Sequence, residues 1–95
     1  MATSVGVLHL DLMIGDATNL KAKRRVLKSF RDRLAARHNV SVAEVDYQDH
    51  RQRAKLAVAM VGSDARYVQS ALEKLANAAA VHRGMYVVSS EIEMW

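Results

Sequence analysis

Apolar residues recur at every second position through Leu8, Leu10, Leu12 and Ile14, so residues 5–14 read as a β-strand with one buried face. Its other face carries Val7, His9, Asp11 and Met13. Gly15 and Asp16 break the run, and the period then changes to that of a helix over residues 19–39. At about 100° per residue, Leu20, Val26, Leu27, Phe30 and Leu34 fall in one arc, the pattern of a helix laid on a sheet. Asn19 is placed to cap this helix, its side-chain oxygen accepting a free backbone N–H of the first turn. Asn39 tolerates the left-handed conformation that commonly ends a helix. Residues 40–47 are rich in β-branched side chains and predict a second strand, with a bulge where the alternation slips between Val42 and Val45. The polar segment 48–53 suits a hairpin loop. Residues 54–61 return as a third strand, with Leu56, Val58 and Met60 on one face and Lys55, Ala57, Ala59 and Val61 on the other. Beyond Gly62, Ser63 or Asp64 caps a second helix that runs to about His82, with Val68, Ala71, Leu72, Leu75 and Ala79 at helical spacing. Gly84 closes it. Residues 85–95 form a last strand, with Tyr86, Val88, Ile92 and Met94 in one phase and Val87, Glu91 and Glu93 in the other.

The predicted order is strand, helix, strand, strand, helix, strand, with matching punctuation at the two βα junctions (Gly15-Asp16 and Gly62-Ser63). Two split βαβ units joined by a hairpin make an α+β, ferredoxin-like βαββαβ sandwich: a four-stranded antiparallel sheet with both helices on one face and the other face open. Residues 1–95 form a single domain on this reading, since a chain of this size closes around one core.

Composition narrows the chemistry. With no cysteine there is no disulfide, no thiolate metal site and no thiol nucleophile. The apolar run at the amino end is interrupted by His9 and Asp11 and is neither a signal nor a membrane span, so the expectation is a soluble, cytoplasmic protein. No phosphate-cradling glycine loop, nucleophile elbow or HExxH helix occurs, which makes an enzyme the weakest class and calls for no cofactor. The net charge of +4 is modest but unevenly placed: residues 19–39 hold eight of the fourteen Lys and Arg.

Leu20-Lys21-x-Lys23-Arg24-Arg25, the run from Asn39 to Val45, and Gln48-Asp49 followed by Gln52-Arg53-Ala54 resemble the pattern of the YlxP-like proteins, a small bacterial family of unknown function. The resemblance extends over nearly the whole chain. It implies a ferredoxin-like fold and a gene neighbourhood among translation and ribosome-maturation factors, and it implies no activity. Two departures stand out. Ala22 replaces the glutamate usual in the LK-x-KR motif, which removes a capping box, and Arg51 stands where the family commonly has an aromatic residue.

Two surfaces compete as candidate sites. On a helical wheel with Leu20 at 0°, Arg31, Arg24, Lys28, Lys21 and Arg25 lie between about 20° and 140°, and Asp32 is the single acid among them. Such a face is either a solvated surface helix or a phosphate-contacting surface. Lys23 falls instead within the apolar arc. Its stem should cover the core edge while its amine reaches out, and it joins the RNA-contact candidates only through the family motif. The open sheet face is the second surface. An RNA-recognition motif stacks bases on aromatic side chains of its two central strands, but here those positions are His9, Asp11, Ala57 and Ala59. RNA contact is therefore expected through Lys21, Lys23, Arg24, Arg25, Lys28 and Arg31. The open face, with Val7, His9, Met13, Ala57, Ala59 and Val61, is partly apolar, and either a homodimer or the Trp95 terminus would hide it.

His9 and Asp11 point the same way and could begin a metal site or an acid–base pair, but two ligands do not make a centre, and ordinary polar decoration of the sheet is the stronger reading. Glu44, Gln48, Asp49, Gln52 and Arg53 gather at the hairpin, where an ion-paired loop that fixes strand pairing outweighs a functional one. The functional expectation is a non-enzymatic accessory protein contacting ribosomal or other structured RNA, with a sheet-mediated homo-oligomeric module as the alternative.

Overall fold

A computed structural model describes residues 2–95. The elements follow the predicted order: β1 (Ser4–Met13), α1 (Leu20–Arg37), β2 (Val40–Asp46), β3 (Arg53–Gly62), α2 (Ala65–Ala80) and β4 (Tyr86–Met94). The strands pair antiparallel in the order β2-β3-β1-β4, which is the ferredoxin-like α+β arrangement. Leu8 lies opposite Val58 and Ile92, and Leu10 opposite Leu56, so the inward positions of neighbouring strands meet directly. With Leu27, Phe30 and Leu34 from α1 and Val68, Leu72, Leu75 and Ala79 from α2, they form one buried cluster between the sheet and the helices. Removing each large side chain of this kind from water contributes about 1.5–3 kcal/mol.

The caps explain where the helices begin. Asn19 Oδ1 accepts from Ala22 N–H at 2.8 Å, so the first turn is capped without the glutamate that Ala22 replaces. Of the two candidates for α2, Asp64 is the cap, its Oδ1 accepting from the N–H groups of Arg66 and Tyr67. The end of α1 differs from expectation. His38 leaves the helix in an extended conformation (φ −138°), and among the described residues only Tyr47 and Gly84 have positive φ, so Asn39 takes no left-handed turn. Strand β2 starts almost at once, at Val40, and an extended exit leads straight into it. α2 stops at Ala80, two residues earlier than expected, and Gly84 (φ 93°) turns the chain toward β4.

Bulges set the two edge strands. In β2 the pairing jumps from Glu44–Leu56 to Asp46–Lys55, leaving Val45 unpaired where the alternation slips in the sequence. In β4 it jumps from Asp11–Ser89 to Leu12–Val87, so Val88 is the extra residue. That second bulge corrects the predicted phase of β4. Because side chains alternate with a period of two, one inserted residue reverses the strand on one side of it. Val87 thus packs against the core with Ile92, while Tyr86 and Val88 are exposed.

Close approach of α2 to β1 accounts for Gly6. A Cβ there would come within 2.6 Å of Leu72 Cδ1 and 2.9 Å of Val68 Cγ1.

Candidate functional site

The first helix divides as its wheel predicts, with one exception in where a charged head points. Leu27, Phe30 and Leu34 are buried, Leu20 and Val26 are half-buried at the edges of the arc, and Lys21, Arg24, Arg25, Lys28 and Arg31 are exposed. Lys28 Nζ lies 2.7 Å from Asp32 Oδ2, an exposed pair one helical turn apart. Arg31 reaches the Val42 carbonyl only at a long 3.5 Å. Lys21, Arg24 and Arg25 have no carboxylate within ion-pair distance among the described residues. Between α1 and the edge strand β2 runs an open groove of about 390 Å³, lined by Arg24, Lys28, Arg31 and Asp32 together with Leu27, Leu56 and Glu44.

Lys23 is the exception and a correction. It is fully buried, and its ammonium points into the protein: Nζ donates to the Tyr47 carbonyl at 2.6 Å and sits 2.8 Å from Glu44 Oε2. The contact with Glu44 has ion-pair distance without hydrogen-bond alignment, so the aligned bond goes to the carbonyl. The reason is tertiary. Beyond the Val45 bulge the backbone turns through Tyr47 (φ 60°), and Glu44 and the Tyr47 carbonyl together lie within reach of the first turn of α1. Lys23 therefore joins helix to edge strand and offers no surface charge. The signal for this was its position within the apolar arc, with an acid available on the following strand.

The open face presents the outward residues of β1 and β3 that the sequence predicts and arranges its polar groups in separate pairs. His9 Nε2 lies 2.6 Å from Glu93 Oε1, and Asp11 accepts from Arg53 Nη2 at 2.9 Å. The guanidinium of Arg53 also sits 4.8 Å from the centre of the Tyr47 ring. The hydrogen bond to Asp11 holds the Arg53 pKa above its ordinary value, against the opposing effect of desolvation. His9 and Asp11 share a face yet engage different partners, and among the described residues no three His, Asp or Glu side chains converge as metal ligands. Val7, Ala57 and Ala59 are half-buried, Met13 and Val61 are exposed. Trp95 continues β4, its N–H donating to the Val5 carbonyl at 2.8 Å, and with 73% of its surface exposed it does not fold over the sheet.

The hairpin is tied down by its own polar groups. Ile14 N–H donates to the Gln52 carbonyl at 2.9 Å, Gln52 N–H to His50 Nδ1 at 3.1 Å, and Gln48 Nε2 to the Glu44 carbonyl at 3.3 Å. Sequence reasoning missed His82, whose ring meets Phe30 edge-on with centroids 5.2 Å apart and whose Nδ1 is buried with no hydrogen-bond partner among the described residues. Burial, with Arg33 as a second cause, lowers its pKa. Only the fold brings it to Phe30, 52 positions away in sequence.

No helix among the described residues is long and apolar enough to cross a membrane. Uncharacterized protein YlxP of Bacillus subtilis (strain 168) is 35% identical over 71 residues, which cover 75% of this chain and 77% of that protein. The sequence profile described as Protein of unknown function (DUF503) matches residues 5–92, nearly the whole length over which the strands and helices above run, and the chain belongs to that family.

Proposed function

We propose that the protein is a non-enzymatic cytoplasmic factor that contacts structured RNA, ribosomal RNA in the first instance, through the exposed face of α1. The observation that carries this reading is the set of five exposed cations, Lys21, Arg24, Arg25, Lys28 and Arg31, of which, among the described residues, only Lys28 has an acidic partner. A solvated helix ordinarily interleaves both signs, and a face of one sign attracts polyanions. Contact through phosphates fits the aromatic-free central strands, which offer no platform for stacked bases.

The test is RNA association followed by fluorescence anisotropy between about 50 and 200 mM salt, where each phosphate contact adds about −0.7 to −0.9 to the slope of log K against log salt. The wild-type protein should give a slope of about −2 to −4, and R24E/R25E/K28E should abolish most of the binding and flatten what remains. Absence of salt-dependent association, or an unchanged triple variant, would refute the reading.

A further inference from the structure

The face of the sheet turned away from the helices is divided lengthwise by charge. β1 runs between β3, which presents Arg53 and Lys55, and β4, which presents Glu91 and Glu93; register places Lys55 beside Asp11 and Glu91 beside His9. Asp11 is engaged by Arg53, and His9 by Glu93. That leaves Lys55 and Glu91, on opposite sides of β1, without an ion-pair partner among the described residues. Toward the other end, the face becomes apolar through Val7, Ala59, Val61 and Trp95, with Val61 56% and Trp95 73% exposed.

We infer that this face binds a second copy of the same chain, with the two-fold axis lying along β1 between two facing sheets. Such an axis carries β3 of each copy over β4 of the other, so the basic column of one sheet meets the acidic column of its partner twice in one operation. The other in-plane axis, perpendicular to the strands, would set β3 on β3 and β4 on β4, like charge on like. Charge thus selects between the two symmetric ways of stacking these sheets. Long side chains reach across the ~10 Å between packed sheets, so Lys55 is within range of the partner's Glu91. β2 overhangs the partner, and the three facing strands β3, β1 and β4, of about ten residues each, cover ~480 Å² per copy, below the size of most stable dimers, so association belongs in the high-micromolar range. The inference is independent of the RNA reading, because both basic helices remain on the outer sides of the pair.

Sedimentation equilibrium from about 1 to 500 μM, spanning the dissociation constants expected for an interface of this size, tests it. Wild-type protein should shift from monomer to dimer, and K55E or E91K alone should raise Kd at least tenfold. An equimolar mixture of the two variants should recover the dimer. In that mixture one chain carries Glu at both positions and the other Lys at both, so each contact again joins opposite charges, a result that no effect within one chain reproduces. A59R should abolish association whatever the charges. A wild-type protein that stays monomeric throughout, variants that dimerise unchanged, or a mixture no heavier than its components would overturn the inference.

Discussion

Removing the Lys23 ammonium should destabilise the protein through Glu44 rather than through the lysine itself. Lys23→Met keeps most of the buried stem and deletes the charge. The Tyr47 carbonyl would retain its second donor, His50 N–H at 2.9 Å, so that loss is about 0.5–1.5 kcal/mol. Glu44 would keep a negative charge with no cation at ion-pair distance, on a side chain only 19% exposed, and with Arg24, Lys28 and Arg31 only lining the same groove. Breaking a buried pair from one side costs about 3–5 kcal/mol, and the residual access of Glu44 to water sets the expectation at the lower end, about 3 kcal/mol. For a domain of this size that corresponds to a fall in Tm of about 12–24 °C. K23M/E44L removes both charges and should recover to within about 1 kcal/mol of wild type, since apolar replacement of a whole buried pair is often neutral. Urea denaturation followed by circular dichroism at pH 7 measures both variants, with the denaturant slope unchanged. A loss below about 1 kcal/mol for Lys23→Met, or a double variant no better than the single one, would refute the assignment of Lys23 as a buried tie.

Two further expectations follow from packing and titration. His82 has a lowered pKa in the folded protein, chiefly from burial, so the unfolded chain takes up a proton first, near pH 6.5; its contribution to stability is full above that pH and is lost as pH falls through the lower folded value. The urea midpoint of His82→Leu should accordingly fall less between pH 7 and 5 than that of wild type, and parallel curves would contradict this. Gly6→Ala should cost about 1–3 kcal/mol, because the added methyl meets Leu72, Met94 and Val68 at 2.6, 2.9 and 2.9 Å; a thermal melt no lower than wild type would show that α2 does not lie as close to β1 as described.

Much of the candidate site was legible because it is local. The exposed cations of α1 follow from the angular positions of Lys21, Arg24, Arg25, Lys28 and Arg31 on one helix, which need no knowledge of what lies beneath. The same wheel set Lys23 inside the apolar arc, and the structure agrees. What the wheel could not supply was the direction of its ammonium, since that depends on Glu44 and the Tyr47 carbonyl, 21 and 24 positions further on. A lysine at the edge of an apolar surface usually sends its head to water. It turns inward only where a carboxylate and a carbonyl await it together. Likewise His9 and Asp11 were correctly placed on one face, while their separate engagement by Glu93 and Arg53 required the strand order.

The sequence by itself determined the elements, their order, the start of α1, that of α2 to within one residue, and the inward positions of β1 and β3, because period, cap and turn chemistry are properties of neighbouring residues. It also indicated the bulge in β2, where a slip in alternation is visible along the strand. The bulge in β4 was hidden. Tyr86 and Val88 are as apolar as Val87, and only pairing with β1 selects which of them turns inward. Tertiary structure likewise decided the extended exit of α1 at His38, the contact of His82 with Phe30 and the inward ammonium of Lys23. The physical reason is common to all of them: hydrophobic periodicity acts within an element, whereas register, desolvation and ion pairing are set by groups that only folding brings together.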